Sequence, residues 1–222
     1  MTMPSYDEVD AVLTSIIAPQ DAAITHAAAN SATEGLPAIQ VSALIGRLLE
    51  VLARTVSATC ILEVGTLGGY STIHLARGLA PDGRVTTLEL DEHHAEVARG
   101  NLEFAGVADR VDVLVGPALD SLAQLRADGF GPIDLAFIDA DKANNANYLN
   151  FAVEMARPGA LVIVDNVVRG GAVALDPLPD DGAKGARAAI ELMASHPRIE
   201  GTALQLVGVK GHDGLAIGVV TA

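Results

Sequence analysis

Apolar residues follow two rhythms along this chain, and the change between them falls near residue 58. Before it the spacing is helical. Ser5-Tyr6-Asp7-Glu8 forms a capping box, with Val9, Val12, Leu13, Ile16 and Ile17 following on one face until Pro19 breaks the pattern. Ala22 to Ala32 reads as a second, alanine-rich helix closed by Gly35 and Pro37. Ser42 can cap a third, with Leu44, Ile45, Leu48, Leu49 and Leu52 along one side. From Cys60 onward, β-prone runs near 60–64, 84–90, 111–115, 133–138 and 160–164 alternate with helical patterns near 71–80, 92–105, 118–127, 145–156 and 182–195. Such alternation predicts right-handed crossovers and a mostly parallel sheet with helices on both faces. The end of the chain differs. Gly201 to Val209 and Leu215 to Val220 flank only Lys210-Gly211-His212-Asp213-Gly214, too short a link for anything but an antiparallel hairpin. Gly170 to Gly185 is the longest irregular stretch and a candidate lid.

The expected fold is thus α/β and Rossmann-like, in one domain over residues 1–222. Residues 1–57 supply helices that either cover a ligand site or meet a second subunit, and 58–222 form the core. Half the chain is apolar but only 3% is aromatic, so the core must be built from Ala, Val, Leu and Ile, as suits a parallel sheet covered by helices. With 14 Lys and Arg against 28 Asp and Glu, the formal charge is −14. No basic surface is available in bulk for nucleic acid or an anionic membrane. Cys60 is the only cysteine, which excludes an internal disulfide and a cysteine zinc cluster. There is no basic-then-apolar leader and no long apolar run, so a cytoplasmic soluble protein is expected.

Candidate chemistry begins at Ile61-Leu62-Glu63-Val64-Gly65-Thr66-Leu67-Gly68-Gly69-Tyr70-Ser71, a buried strand that turns through glycines into a helix N-terminus. Glu63 precedes the first glycine by two places. A carboxylate there repels a pyrophosphate and suits a ligand carrying an ammonium group, while Glu89, ending the next strand, stands where an acid grips ribose hydroxyls. Acid, glycine turn and second acid favour S-adenosylmethionine over NAD. The alternative is a glycine turn that merely packs a helix on a strand.

A second constellation lies farther on. The strand near 133–138 runs into Asp139-Ala140-Asp141-Lys142, and the strand near 160–164 into Asp165-Asn166. If these strands are neighbours, Asp139, Asp165 and Asn166 converge. Two carboxylates and an amide oxygen form a hard oxygen set suited to Mg²⁺ above all, or to Mn²⁺ or Ca²⁺. Lys142 could reach the same point as a general base, because a dication beside it favours the free amine. Each residue also has a plain reading, as a helix cap, an Asx turn or a solvated lysine. The joint pattern at two successive strand ends is what favours a site.

Here the chain resembles a known family. Glu63 to Ser71, Gly116-Pro117-Ala118-Leu119, Ile138-Asp139-Ala140-Asp141-Lys142 and Val164-Asp165-Asn166-Val167 are similar to motifs of the divalent-metal-dependent O-methyltransferases, the caffeoyl-CoA and catechol enzymes and their small bacterial relatives. The resemblance runs from about Leu36 to the C-terminus and implies a class I methyltransferase fold. It implies Asp139, Asp165 and Asn166 as metal ligands and Lys142 as the base. It implies Glu63, Gly65, Thr66 and Ser71 around the methionine part of S-adenosylmethionine, Glu89 at the ribose, and Ala118 at adenine. It implies Val41 and Asp139 as further cofactor contacts, and places Asp141 where relatives touch substrate. It also implies a homodimer.

Two departures matter. Arg169 stands where plant members carry a tryptophan, and could contact an anionic substrate or face solvent. No basic cluster precedes Leu36, so recognition of a coenzyme A phosphate is not expected. With Tyr6, Tyr70, Tyr148 and four Phe as the only aromatics, the acceptor pocket cannot be an extensive aromatic cage. The function expected is methyl transfer to a hydroxyl of a small catechol-like acceptor. An NAD-dependent dehydrogenase, a non-catalytic adenosyl-ligand binder and an N- or C-methyltransferase are the alternatives. His74, His93, His94 and His196 are expected on helices as surface or packing residues, with His26 and His212 nearer the site mouth.

Overall fold

A computed structural model describes residues 3–222. Three helices come first: α1 (Tyr6–Ile17), α2 (Ala22–Thr33) and α3 (Ala43–Thr55). The alternating core follows as β1 (Cys60–Val64), α4 (Tyr70–Gly78), β2 (Arg84–Glu89), α5 (Glu92–Phe104), β3 (Val111–Val115), α6 (Ala118–Ala127), β4 (Ile133–Ile138), α7 (Asn145–Met155), β5 (Ala156–Asp165) and α8 (Asp181–Ser195). The chain closes with β6 (Ile199–Gly208) and β7 (Gly211–Val220). The strands form one sheet in the order β3-β2-β1-β4-β5-β7-β6. β1 to β5 are parallel, and β7 runs antiparallel to both β5 and β6.

Side chains alternate across a strand, so each strand feeds two cores. Ile61, Val85, Leu135, Phe137 and Ile163 pack with Ile24 of α2, Leu49 of α3, Ile73 of α4 and Leu102 of α5 on one face. Leu62, Val64, Leu88, Ala136 and Val162 pack with Leu122 of α6, Leu149 of α7 and Met193 of α8 on the other. Both faces are covered, which is why β1 and β4 read as continuous apolar runs.

Three expectations need correction. β5 begins at Ala156 rather than near 160, because its first residues pair with β4 at Ile133 despite Pro158 and Gly159. The hairpin turn is shorter than the polar stretch suggested: His212, Asp213 and Gly214 are strand residues of β7, paired with Val207, Leu206 and Gln205. The candidate lid is mostly ordered, since Arg169–Ala174 forms 3₁₀ turns kinked at Gly170 and Gly171, and α8 starts at Asp181. Arg187 of α8 ties this piece down by donating to the carbonyl oxygens of Val173 and Leu175.

The capping box of α1 is present, with Ser5 and Glu8 bonded reciprocally. Yet α1 buries none of its residues, and Val12, Leu13, Ile16 and Ile17 are exposed. It is latched to the hairpin tip, where Asp10 accepts from the Val209 N–H at 2.9 Å. No helix among the described residues is long and apolar enough to cross a membrane.

Candidate active site

Parallel strands end on one edge of the sheet, and ligands of open α/β sheets gather there. A cleft of about 930 Å³ lies along this edge, between the glycine turn after β1, the tips of β4 and β5, the hairpin, and a wall that includes Ile39, Val41 and Leu44. The segment ahead of the core therefore contributes part of the cleft wall. Of the candidate residues, Val41, Gly65, Thr66, Ser71, Glu89 and Ala118 line the cleft, and so do Asp139, Asp141, Lys142, Asp165, Asn166 and Arg169.

Glu63 is the exception. It has no exposed surface and does not line the cleft. Its Oε1 accepts from Ser71 Oγ at 2.6 Å, and its Oε2 from Thr72 Oγ1 at 2.5 Å and Thr87 Oγ1 at 2.7 Å. Thus one carboxylate pins β1 to the first turn of α4 and to β2. Burial dominates its ionisation and pushes the carboxyl up to about 7, the three hydroxyls opposing this and the charge of Asp139 adding to it. The expected carboxylate facing a bound ammonium group is not what Glu63 presents; what it orients, Ser71, is in the cleft.

The glycines have geometric reasons. Gly65 has φ +102°, and a Cβ there would lie 2.1 Å from the carbonyl oxygen of Asp139. The Asp139 N–H also donates to the Val64 carbonyl at 2.8 Å. The glycine turn and the β4 tip are therefore in direct backbone contact. Gly69, in the left-handed region, caps α4 without a side-chain bond. Asn101, fully buried and not anticipated, donates to the Gly68 carbonyl at 2.8 Å and braces the turn from α5.

Glu89 lines the cleft with its carboxylate already engaged. Oε2 accepts from Thr66 N–H at 3.2 Å and Leu67 N–H at 2.7 Å, and Oε1 from Asp91 N–H at 3.0 Å. His94 stands beside it, Nδ1 to Oε1 at 3.6 Å, and lines the cleft rather than serving only as packing. The other histidines lie off the cleft. His26 stacks on Phe104, His212 meets Gln205, and His74 is buried against Glu50.

On the far side, β4 and β5 are neighbours in register, Ile138 opposite Val164, which sets Asp139 and Asp165 at adjacent strand tips. Lys142 Nζ donates to Asp139 Oδ1 at 2.6 Å. Among the described residues, the Asp165 carboxylate accepts one hydrogen bond, from the Asn166 N–H at 2.7 Å. Burial raises the Asp165 carboxyl well above the usual range, with the charge of Asp139 adding to it and Lys142 opposing it. Asp141 is held by Tyr148 Oη at 2.5 Å and Asn144 Nδ2 at 2.7 Å. Its burial and that bond raise the tyrosine hydroxyl's affinity for its proton. Asn166 sits at φ +56° and donates through Nδ2 to Asp213 Oδ2 at 3.1 Å. Asp213 was hidden in what read as a turn; its acidity amid glycines was the one available signal.

Residues 16–217 match the family model described as O-methyltransferase. A protein of Mycobacterium tuberculosis named catechol O-methyltransferase is 51% identical over 217 residues, 98% of this chain and 97% of the relative. Among solved structures, an O-methyltransferase from Bacillus cereus in complex with SAH superposes with a TM-score of 0.95 at 46% identity, covering 97% of this chain and 98% of the other. The O-methyltransferase TomG from Streptomyces achromogenes, involved in tomaymycin synthesis and in complex with SAM, gives 0.94 at 44%, covering 98% and 97%. The family match, the relatives over nearly the full chain and the superposed folds agree, and this chain belongs to the O-methyltransferase family and is an O-methyltransferase.

Proposed function

We propose that the cleft transfers the methyl group of S-adenosylmethionine to one hydroxyl of a catechol-like acceptor, with a divalent cation held by Asp139, Asp165 and Asn166. The observation that carries this reading is the pair of acids at adjacent strand tips, short of positive charge, in backbone contact with the glycine turn. Solved relatives bound to SAM or SAH support the donor, and the mycobacterial relative's name supports the acceptor class.

The donor set fits a hard cation. It offers two carboxylates and an amide oxygen, and Asp165 accepts a single hydrogen bond among the described residues while Asp139 holds only the Lys142 ammonium. When bound, the donor supplies an electrophilic methyl on a sulfonium, and the cation supplies charge stabilisation for a developing phenolate. The chain does the rest. Gly65, Thr66, Ser71 and Glu89 bind and orient the donor. Lys142, whose ammonium pairs with Asp139, takes the hydroxyl proton after giving up one of its own to solvent, the free amine being favoured by a dication beside it. Val41, Ile39 and Leu44 give the cleft an apolar stretch of wall. Since phenolate and sulfonium charges cancel along the path, the positioning of the two reactants carries much of the rate.

The test is a panel of vicinal diphenols and matching monophenols incubated with S-adenosylmethionine, with and without Mg²⁺, read by product mass. Diphenol methylation that requires Mg²⁺ supports the reading. Equal methylation of monophenols, or indifference to chelation, would overturn it. The exposed apolar side of α1, together with exposed Leu204 and Val207 on β6, supports a homodimer through that face. Light scattering on the full chain should give twice the monomer mass.

A further inference from the structure

Asp213 is bonded more heavily than any role so far explains. Its Oδ1 accepts from the N–H groups of Val168 at 3.2 Å, Arg169 at 3.0 Å and Gly214 at 2.9 Å, and its Oδ2 accepts from Asn166 Nδ2 at 3.1 Å. The bonds from Val168, Arg169 and Asn166 cross from β7 to the segment that leaves the β5 tip. That segment carries two non-glycine residues at positive φ, Asn166 and Arg169, both at 56°. A backbone held in the left-handed region needs outside support, and the Asp213 carboxylate supplies it at Arg169 directly.

The bond to Asn166 has a polarity. An ionised carboxylate accepts and cannot donate, so only the NH₂ end of the Asn166 amide can face it. The amide oxygen must then point the other way, and among the described residues it has no hydrogen-bond partner, although Asn166 lines the cleft. A flipped amide would turn its NH₂ donors on any cation there. We infer that Asp213 is a positioning residue for the cation site: by accepting from Asn166 Nδ2, it commits the amide oxygen to the ion. The inference rests on the cation reading above.

Asp213→Asn keeps the size and an oxygen for the three backbone N–H groups, but sets an amide that can donate against Asn166. The measurement is Mn²⁺ binding to the full chain without acceptor, from the electron paramagnetic resonance signal of free Mn²⁺. SAH affinity and melting temperature are followed on the same samples. Asp213→Asn should weaken Mn²⁺ binding about 10–100-fold, as loss of an outer partner of a metal ligand does, with SAH affinity unchanged. Asp141→Asn, which removes one charge from the same cleft and leaves Asn166 alone, should lose less. The swap Asp213→Asn with Asn166→Asp, which restores a donor facing an acceptor, should recover most of the affinity. Wild-type binding in Asp213→Asn would overturn the inference. So would an equal loss in Asp141→Asn, a joint loss of Mn²⁺ and SAH binding, or a swap no better than the single variant. A wild-type chain that binds SAH but no Mn²⁺ would instead remove the cation reading, and the inference with it.

Discussion

Glu89 and Asp165 both sit at the carboxyl edge of one sheet, and the chain treats them differently. Three backbone N–H groups converge on Glu89, and three hydroxyls converge on Glu63 behind it. The glycine-turn side of the cleft is thus braced by the chain's own hydrogen bonds. Asp165 accepts one N–H, stands beside Asp139, and shares a single lysine with it. Among the described residues, the tips of β4 and β5 thus set two acids beside one lysine. The first arrangement suits a ligand recognised by shape and hydrogen bonding, the second one recognised by charge.

Breaking the charged side should have the largest effect. Asp139→Ala removes a proposed cation ligand and the lysine's partner, and catechol methylation in Mg²⁺ should fall on the order of 10²–10³-fold or more, with SAH affinity by calorimetry changed little. Lys142→Met spares the acids and removes the proposed proton acceptor, so kcat should drop about 10²-fold while Mn²⁺ binding persists. Gly65→Ala probes the seam between the two sides. Its Cβ would press on the Asp139 carbonyl at 2.1 Å with φ at +102°, and a stability loss of about 1–3 kcal/mol or more should appear as a lower denaturation midpoint, with SAH binding weakened too.

The smallest effect sharpens the braced side. Glu63 keeps its proton to about pH 7 when folded, against an ordinary value of 4.5. The folded chain binds that proton more tightly, so this contribution to stability is complete below the unfolded value and is lost as pH rises through about 7. In Glu63→Gln the loss is absent. The melting temperature of the wild type should therefore fall relative to the variant as pH is raised from about 5 to 8.

Much of this was legible in the residues. Apolar β-prone runs and 3.6-residue periods located the core strands and helices, because both faces of the sheet are buried by aliphatic side chains. Asp139, Asp165 and Asn166 could be paired because each ends an apolar strand, and neighbouring strands bring such ends together. What failed was whatever depended on facing. Glu63 occupies a position that looks ligand-directed, but strand alternation and the hydroxyls of Ser71, Thr72 and Thr87 turn it inward, and those partners are spread over β2 and α4. Asp213 reads as a turn residue among glycines. Its partnership with Asn166, 47 residues earlier, exists only because β7 runs beside β5. The early start of β5 was masked by Pro158 and Gly159, which local propensity assigns to a turn.

The most direct test of the central claim is the Mg²⁺ dependence of catechol methylation, measured for wild type and Asp165→Ala side by side after chelation. The account predicts that added Mg²⁺ restores the wild type from baseline to saturation, while Asp165→Ala stays at baseline with SAH still bound. A wild-type rate untouched by the chelator, or an Asp165→Ala rate that climbs with Mg²⁺ as the wild type does, would contradict it.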